Sequence, residues 1–94
     1  MSLKSYLAAA PRGTATRLAE HLGVSPAVVS QWIADADPRP VPPKQRPGIE
    51  QFTEGEVPVE SFEDPGVIWA RIKDKSWPWH PAGRPVLDVT KATA

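Results

Sequence analysis

Proline decides where this chain can be helical. Inside a helix it removes an amide donor and crowds the preceding turn, so helices persist between prolines or with one in their first turn. Of the 12 prolines in 94 residues, only Pro11 and Pro26 precede Pro38, so the stretch before Pro38 is where uninterrupted helices belong. Ser2 predicts an N-cap for a first helix with Leu3, Tyr6, Leu7 and Ala10 on one face, ended by Pro11-Arg12-Gly13. Thr14 is the expected N-cap of a second helix. Its Ala15, Leu18, Ala19 and Leu22 recur at helical spacing until Gly23 supplies a left-handed stop. Ser25-Pro26 then opens a third helix running to about Ala34, with proline where its missing N–H costs nothing.

Beyond Asp35 the texture changes. Pro38, Pro40, Pro42 and Pro43 predict a stiff loop, and Pro43 is a candidate start for a fourth helix carrying Ile49 and Phe52 inward, its boundary blurred by Pro47-Gly48. A single further turn is expected from about Pro58 to Phe62, pairing Val59 with Phe62. Val67 to Ile72 alternates too loosely to separate a strand from a helical turn. With Pro78, Pro81, Gly83 and Pro85, residues 76–94 read as an extended arm, in which Val86-Leu87-Asp88-Val89 is a weak candidate for a strand that adds to a partner's edge. The expected organisation is an all-α domain over residues 1–65 followed by a Pro/Trp-rich extended arm over 66–94.

A chain this short buries only about 60 to 65% of its unfolded surface, so one thin core is the limit. The absence of cysteine excludes disulfide staples and thiolate metal sites, and the cytoplasm is the simplest address. No apolar run approaches the roughly 18 residues of a membrane span, and no secretory signal pattern opens the chain. The net charge of zero argues at first against a polyanionic partner. By position it resolves into three zones. Residues 1–47 carry Lys4, Arg12, Arg17, Arg39, Lys44 and Arg46 against Glu20, Asp35 and Asp37, for +3. Residues 48–70 hold Glu50, Glu54, Glu56, Glu60, Glu63 and Asp64 with no base, for −6, and residues 71–94 return +3. Such zoning suits one face built for a polyanion.

The most informative stretch is Thr14 to Ala34, two short helices around Gly23. A helix-turn-helix needs a small residue in its first helix, glycine or similar at the turn, and aliphatics that clamp the pair; Ala19, Gly23, and Leu18, Leu22, Val24, Val29 and Trp32 fill those positions. The second helix turns Val29, Trp32 and Ile33 inward, leaving Ala27, Ser30, Gln31 and Ala34 outside. From Gly23 to Ala34 no residue is charged, unlike an ordinary solvated helix face. A major groove about 12 Å wide admits such a helix, with Gln31 suited to the N6/N7 edge of adenine and Ala27 to a thymine methyl. The helix start at Ser25-Pro26 points a positive dipole end at a phosphate or base acceptor. Arg17, one turn from Thr14, is placed to hold a phosphate, and Arg39, Lys44 and Arg46 flank the recognition helix on its C-terminal side. Thr14 and Ser25, at the two helix starts, complete the candidate phosphate set.

The run Leu18-Ala19 through Leu22-Gly23-Val24-Ser25-Pro26, then Val29-Ser30-Gln31-Trp32, Arg39-Pro40-Val41-Pro42-Pro43 and Ile49-Glu50, resembles the Cro-type helix-turn-helix regulators of temperate phages and prophages. Within them it is similar to the YdaS-like group, described as Cro-like repressors or antitoxins. The resemblance covers roughly residues 1–65. It implies a small bundle of about five helices, dimerisation on a palindromic operator and repression of transcription. Pro26, Ala27, Ser30 and Gln31 match the base-reading positions. Asp35-Ala36-Asp37-Pro38 departs from the pattern, in which a short basic or glycine turn is usual, and two carboxylates there would weaken phosphate binding.

The remaining features are quieter. His21 and His80 have no second ligand at metal spacing, and no nucleophile–base constellation or phosphate-cradling loop is visible, so neither metal, cofactor nor catalysis is expected. His21 is expected at the surface or near backbone. Trp69, Trp77 and Trp79 have three competing roles: covering the bundle's open side, forming a dimer interface or anchoring a partner. The expected partners are double-stranded DNA, a second copy of the chain and, in an antitoxin role, a toxin wrapped by the arm.

Overall fold

Local signals act first at the N-terminus. In the computed structural model, which describes residues 1–62, 64 and 66–87, Ser2 Oγ accepts the Ser5 N–H at 3.1 Å and caps α1, Leu3–Ala9. Helix α2, Thr14–Leu22, starts one residue earlier than its expected cap implies: Gly13, at φ 90°, is the N-cap and Thr14 is already helical. A left-handed turn ends it. At Gly23, φ 73°, the Val24 N–H reaches Ala19 O and the Gly23 N–H reaches Glu20 O, the paired bonds of a Schellman stop. Helix α3, Pro26–Trp32, is shorter than the sequence suggested, with Ile33 as its C-cap.

Leu18, Ala19 and Val29 are buried where α2 meets α3, joined in the core by Leu3, Val41, Ile49 and Val57. The proline-rich loop returns to the bundle at Val41 and enters a 3-10 turn, Pro43–Gln45, that runs directly into α4, Arg46–Phe52. Gly48 permits the approach of α4 to α2: a Cβ there would lie 2.5 Å from Leu22 Cδ2. The turn expected near Pro58 is a 3-10 turn, Val59–Ser61.

The all-α expectation fails in the last third. Trp69–Ile72 forms β1 and Arg84–Leu87 forms β2, an antiparallel pair in the register Trp69↔Leu87, Ala70↔Val86, Arg71↔Pro85 and Ile72↔Arg84. Among the described residues the architecture is therefore four short helices and a two-stranded sheet, a mixed α/β fold in place of a five-helix bundle with an extended arm. Proline was the misleading signal. Pro78 and Pro81 fall in the connection between the strands, and Pro85 occupies a two-stranded sheet in which both strands are edges, where a missing donor is tolerated. Val86 and Leu87 pair within the chain, while Asp88 and Val89 of the candidate strand lie outside the described residues.

A buried charge cluster ties this hairpin to the helices. Glu50, wholly buried on α4, receives two hydrogen bonds from the Arg71 guanidinium at 2.6 and 2.7 Å, the Trp77 indole N–H at 2.7 Å and the Val59 N–H at 3.1 Å. Arg71 also donates to Glu60 and to Gly83 O. Burial pushes the Glu50 carboxyl up, but the bonds from Arg71, Trp77 and Val59 outweigh it and hold it below the ordinary carboxylate range. Glu60 is lowered by the same balance, and Arg71 is raised above its ordinary value despite its own desolvation. Backbone contact reinforces the junction: Gly55, at φ 84°, lies against the Trp79 carbonyl with no room for a side chain.

Candidate nucleic-acid interface

The α2–α3 pair turns one side inward and offers the other. Val29 is buried, and Val24, Trp32 and Ile33 pack partly buried against the core, which leaves Ser25, Pro26, Ala27, Ser30 and Gln31 exposed together. Ser30 donates its hydroxyl to Pro26 O at 3.2 Å, a local bond that keeps its side chain close to the helix. Gln31 takes no side-chain hydrogen bond among the described residues, so both ends of its amide are available; its backbone carbonyl accepts the Arg39 N–H at 2.9 Å. The four positions expected to read bases thus share one exposed, uncharged surface.

The candidate phosphate contacts divide. Arg17, Arg39 and Lys44 are exposed, and none forms a salt bridge among the described residues. Arg17 Nη2 donates to Thr14 Oγ1 at 3.1 Å, which steadies the guanidinium one turn into α2. Ser25 is exposed and makes no side-chain capping bond. Two expectations are corrected. Thr14 is buried, its hydroxyl donating to Pro11 O at 2.7 Å and accepting from Arg17, so it supports the arginine instead of reaching a phosphate. Arg46 is only 3% exposed: its Nε and Nη2 donate to Val41 O at 3.1 and 2.9 Å, and Nη2 pairs with Asp64 at 3.2 Å. It fastens the proline-rich loop to α4.

The acidic turn after α3 is less repulsive than its composition implies. Asp35 pairs with Lys4 across the start of α1, and that hydrogen bond and charge hold its carboxyl below the ordinary range. Asp37 sits in the left-handed region at φ 47°, tolerated by a short polar side chain. His21 is exposed, its Nε2 3.1 Å from Gln51 Oε1 and its ring tilted on Phe52. The tryptophans are all half-buried: Trp77 and Trp79 meet edge to face at 4.9 Å, and Trp77 spends its N–H on Glu50. The Glu50–Arg71 cluster was missed at the sequence level. Its trace is the stripe Arg46, Ile49, Glu50, Thr53, spaced like a core face but carrying two charges, all four buried.

With this geometry in place, residues 7–63 match the family model described as Bacterial toxin YdaS. The chain belongs to the YdaS family. The YdaS match takes in α2, α3 and α4 and stops short of the hairpin. Over 61 residues the chain is 38% identical to "Putative transcriptional regulator YdaS" of Escherichia coli (strain K12), an alignment that covers 65% of this chain and 59% of that protein. The chain therefore spans about three fifths of that relative's length. No solved structure matches. Among the described residues, no helix is long and apolar enough to cross a membrane.

Proposed function

We propose that this chain is a sequence-specific, double-stranded DNA-binding transcriptional regulator, a Cro-like repressor of prophage origin that acts in the cytoplasm as a dimer on a palindromic operator. The observation that carries this reading is the exposed, uncharged face of α3, together with the exposed cations Arg17, Arg39 and Lys44, which form no salt bridge among the described residues. Small side chains at Ala27 and Ser30 let the helix sit deep in the major groove, and Gln31 presents a bidentate amide to a base edge. The cations hold phosphates and set register without reading sequence. Residues 1–65 carry this surface, and the C-terminal segment, with Trp69, Trp77 and Trp79, supplies the pairing surface of the dimer. The name of the Escherichia coli relative, a transcriptional regulator, supports the same role. No catalytic step or cofactor belongs to this reading.

Selection of bound duplexes from a random pool, with the mass of the complex measured in parallel, tests it. A two-fold symmetric consensus with half-sites one or more helical turns apart and a dimer mass is the expected outcome. Failure to enrich any sequence would overturn it.

A second reading is favoured by the family's description as a bacterial toxin: the chain is one member of a toxin–antitoxin pair and its DNA binding is autoregulatory. In the antitoxin form of that reading the C-terminal segment waits for a partner, yet Arg71 and Trp77 are already committed to Glu50. NMR relaxation of residues 66–87 in the free protein separates the cases. A segment as rigid as α2 supports core completion, and fast motion throughout it would favour the wrapping arm.

A further inference from the structure

A cleft of about 580 Å³ opens beside the C-terminal end of α3, between α1, the proline-rich loop and the 3-10 turn at Val59–Ser61. Its size falls in the range of small-molecule sites, roughly 300 to 1,000 Å³. The walls include Trp32, Val41 and Phe62, all buried or half-buried, and Arg46 lines it. Among the described residues, the charged side chains that line it are Lys4, Arg39, Arg46, Asp35 and Asp64.

Arg46 is the unusual element. Its guanidinium lies 5.3 Å from the Phe62 ring centroid and is almost wholly buried, yet its Nη1 has no hydrogen-bond partner among the described residues. Asp64 serves only one end of the fork. One of its oxygens takes Nη2 at 3.2 Å and the other accepts the Gly66 N–H at 3.1 Å, so the pair is one-pronged. A buried donor left without an acceptor costs about 1 to 3 kcal/mol, more when charged, which gives an incoming acceptor something to gain. The fork geometry of arginine suits a planar carboxylate taken by two parallel bonds.

We propose that this cleft is a binding site for a small aromatic monocarboxylic acid, its ring lying among Trp32, Val41 and Phe62 and its carboxylate completing the hydrogen bonding of Arg46. Nη1 is itself closed to solvent, so the ligand's carboxylate reaches it as Asp64, whose side chain is 38% exposed, gives way. An occupant rests against the last residue of α3, and the cleft wall at Arg39 is already bonded to Gln31 O.

The test uses the whole chain without DNA, so its outcome is independent of the operator reading. Phenylacetate and its neutral isostere phenylacetamide are titrated into the labelled protein while the Trp32 indole and the backbone amides of Asp35, Arg39 and Phe62 are followed by NMR. The expected result is saturable shifts at these groups with phenylacetate, with phenylacetamide weaker by about tenfold or more. Arg46→Lys, which keeps the charge and loses the fork, should weaken phenylacetate to the level of the amide; if that variant does not fold, the ligand pair on the unaltered chain decides. Equal binding of acid and amide, shifts confined to another surface, or no saturable shift would overturn the proposal.

Discussion

Helices α3 and α4 are each seven residues long, begin at or next to a proline and pack on the same core, yet they use charge in opposite ways. Helix α3, Pro26–Trp32, contains no charged residue and shows its neutral face to solvent. Helix α4, Arg46–Phe52, contains two charged residues and buries both. Surface helices ordinarily do the reverse, since Lys, Glu, Arg and Asp are almost never fully buried unless paired. In α4 each charge is paired: Arg46 with Asp64 and Val41 O, Glu50 with Arg71, Trp77 and Val59. The contrast assigns two jobs. Charge on α4 fastens distant segments to one another, and the lack of charge on α3 leaves a surface that a groove can accept without desolvating an ion.

The sharpest way to break the contrast is at Glu50. Glu50→Ala leaves Arg71 without its buried partner and should cost about 3 to 5 kcal/mol in urea denaturation. Replacing both, Glu50→Leu with Arg71→Leu, should recover most of that loss, because a buried pair exchanged for apolar side chains is often neutral. On α3 the corresponding insertion is Ala27→Glu. A carboxylate placed against phosphates should weaken DNA binding by about a hundredfold or more, while stability changes by no more than about 0.5 kcal/mol at this exposed position. Binding isotherms and melts on the same sample separate the two effects.

Acid should loosen the hairpin junction. The Glu50 and Glu60 carboxyls are lowered in the folded chain, so the unfolded chain binds protons more readily. The stability they contribute is fully present above the ordinary glutamate value of about 4.3 and is lost as pH falls through the lowered folded values. Thermal melts from neutral pH downward should show that decline, and Glu60→Gln, which leaves the Glu50–Arg71 pair in place, should make it shallower. The smallest expected effect is at Arg17. Arg17→Ala should weaken operator and random DNA alike and reduce the slope of log affinity against log salt by about one.

How much of this was legible in the sequence follows from the range of the interactions. Helices α1 to α3 are set by neighbours: the Ser2 cap, the Gly23 stop and the Ser25-Pro26 start all act within a few residues, and the inward positions Leu18, Ala19 and Val29 follow from helical spacing. The hairpin depends on partners far apart in the chain. Residues 69–72 pair with 84–87 across a proline-containing connection, and Arg71 finds Glu50 21 positions away. Neither short strand has a strong period, and Glu50 read as one more acid in a run of six. Arg46 shows the same limit on the candidate site: its sequence position beside the recognition helix suggested a phosphate contact, but burial decides its role. Gln31, Ala27 and Ser30 were accessible to sequence reasoning because a helix without charge is unusual within any short window.

The central claim is that the neutral face of α3 reads sequence while the surrounding cations only hold the backbone. It is tested most directly by comparing operator and random-DNA affinities for Gln31→Ala at one fixed salt concentration. Loss of about 1 to 3 kcal/mol on the operator with random DNA unchanged is the predicted result. An unchanged ratio of the two affinities would contradict it.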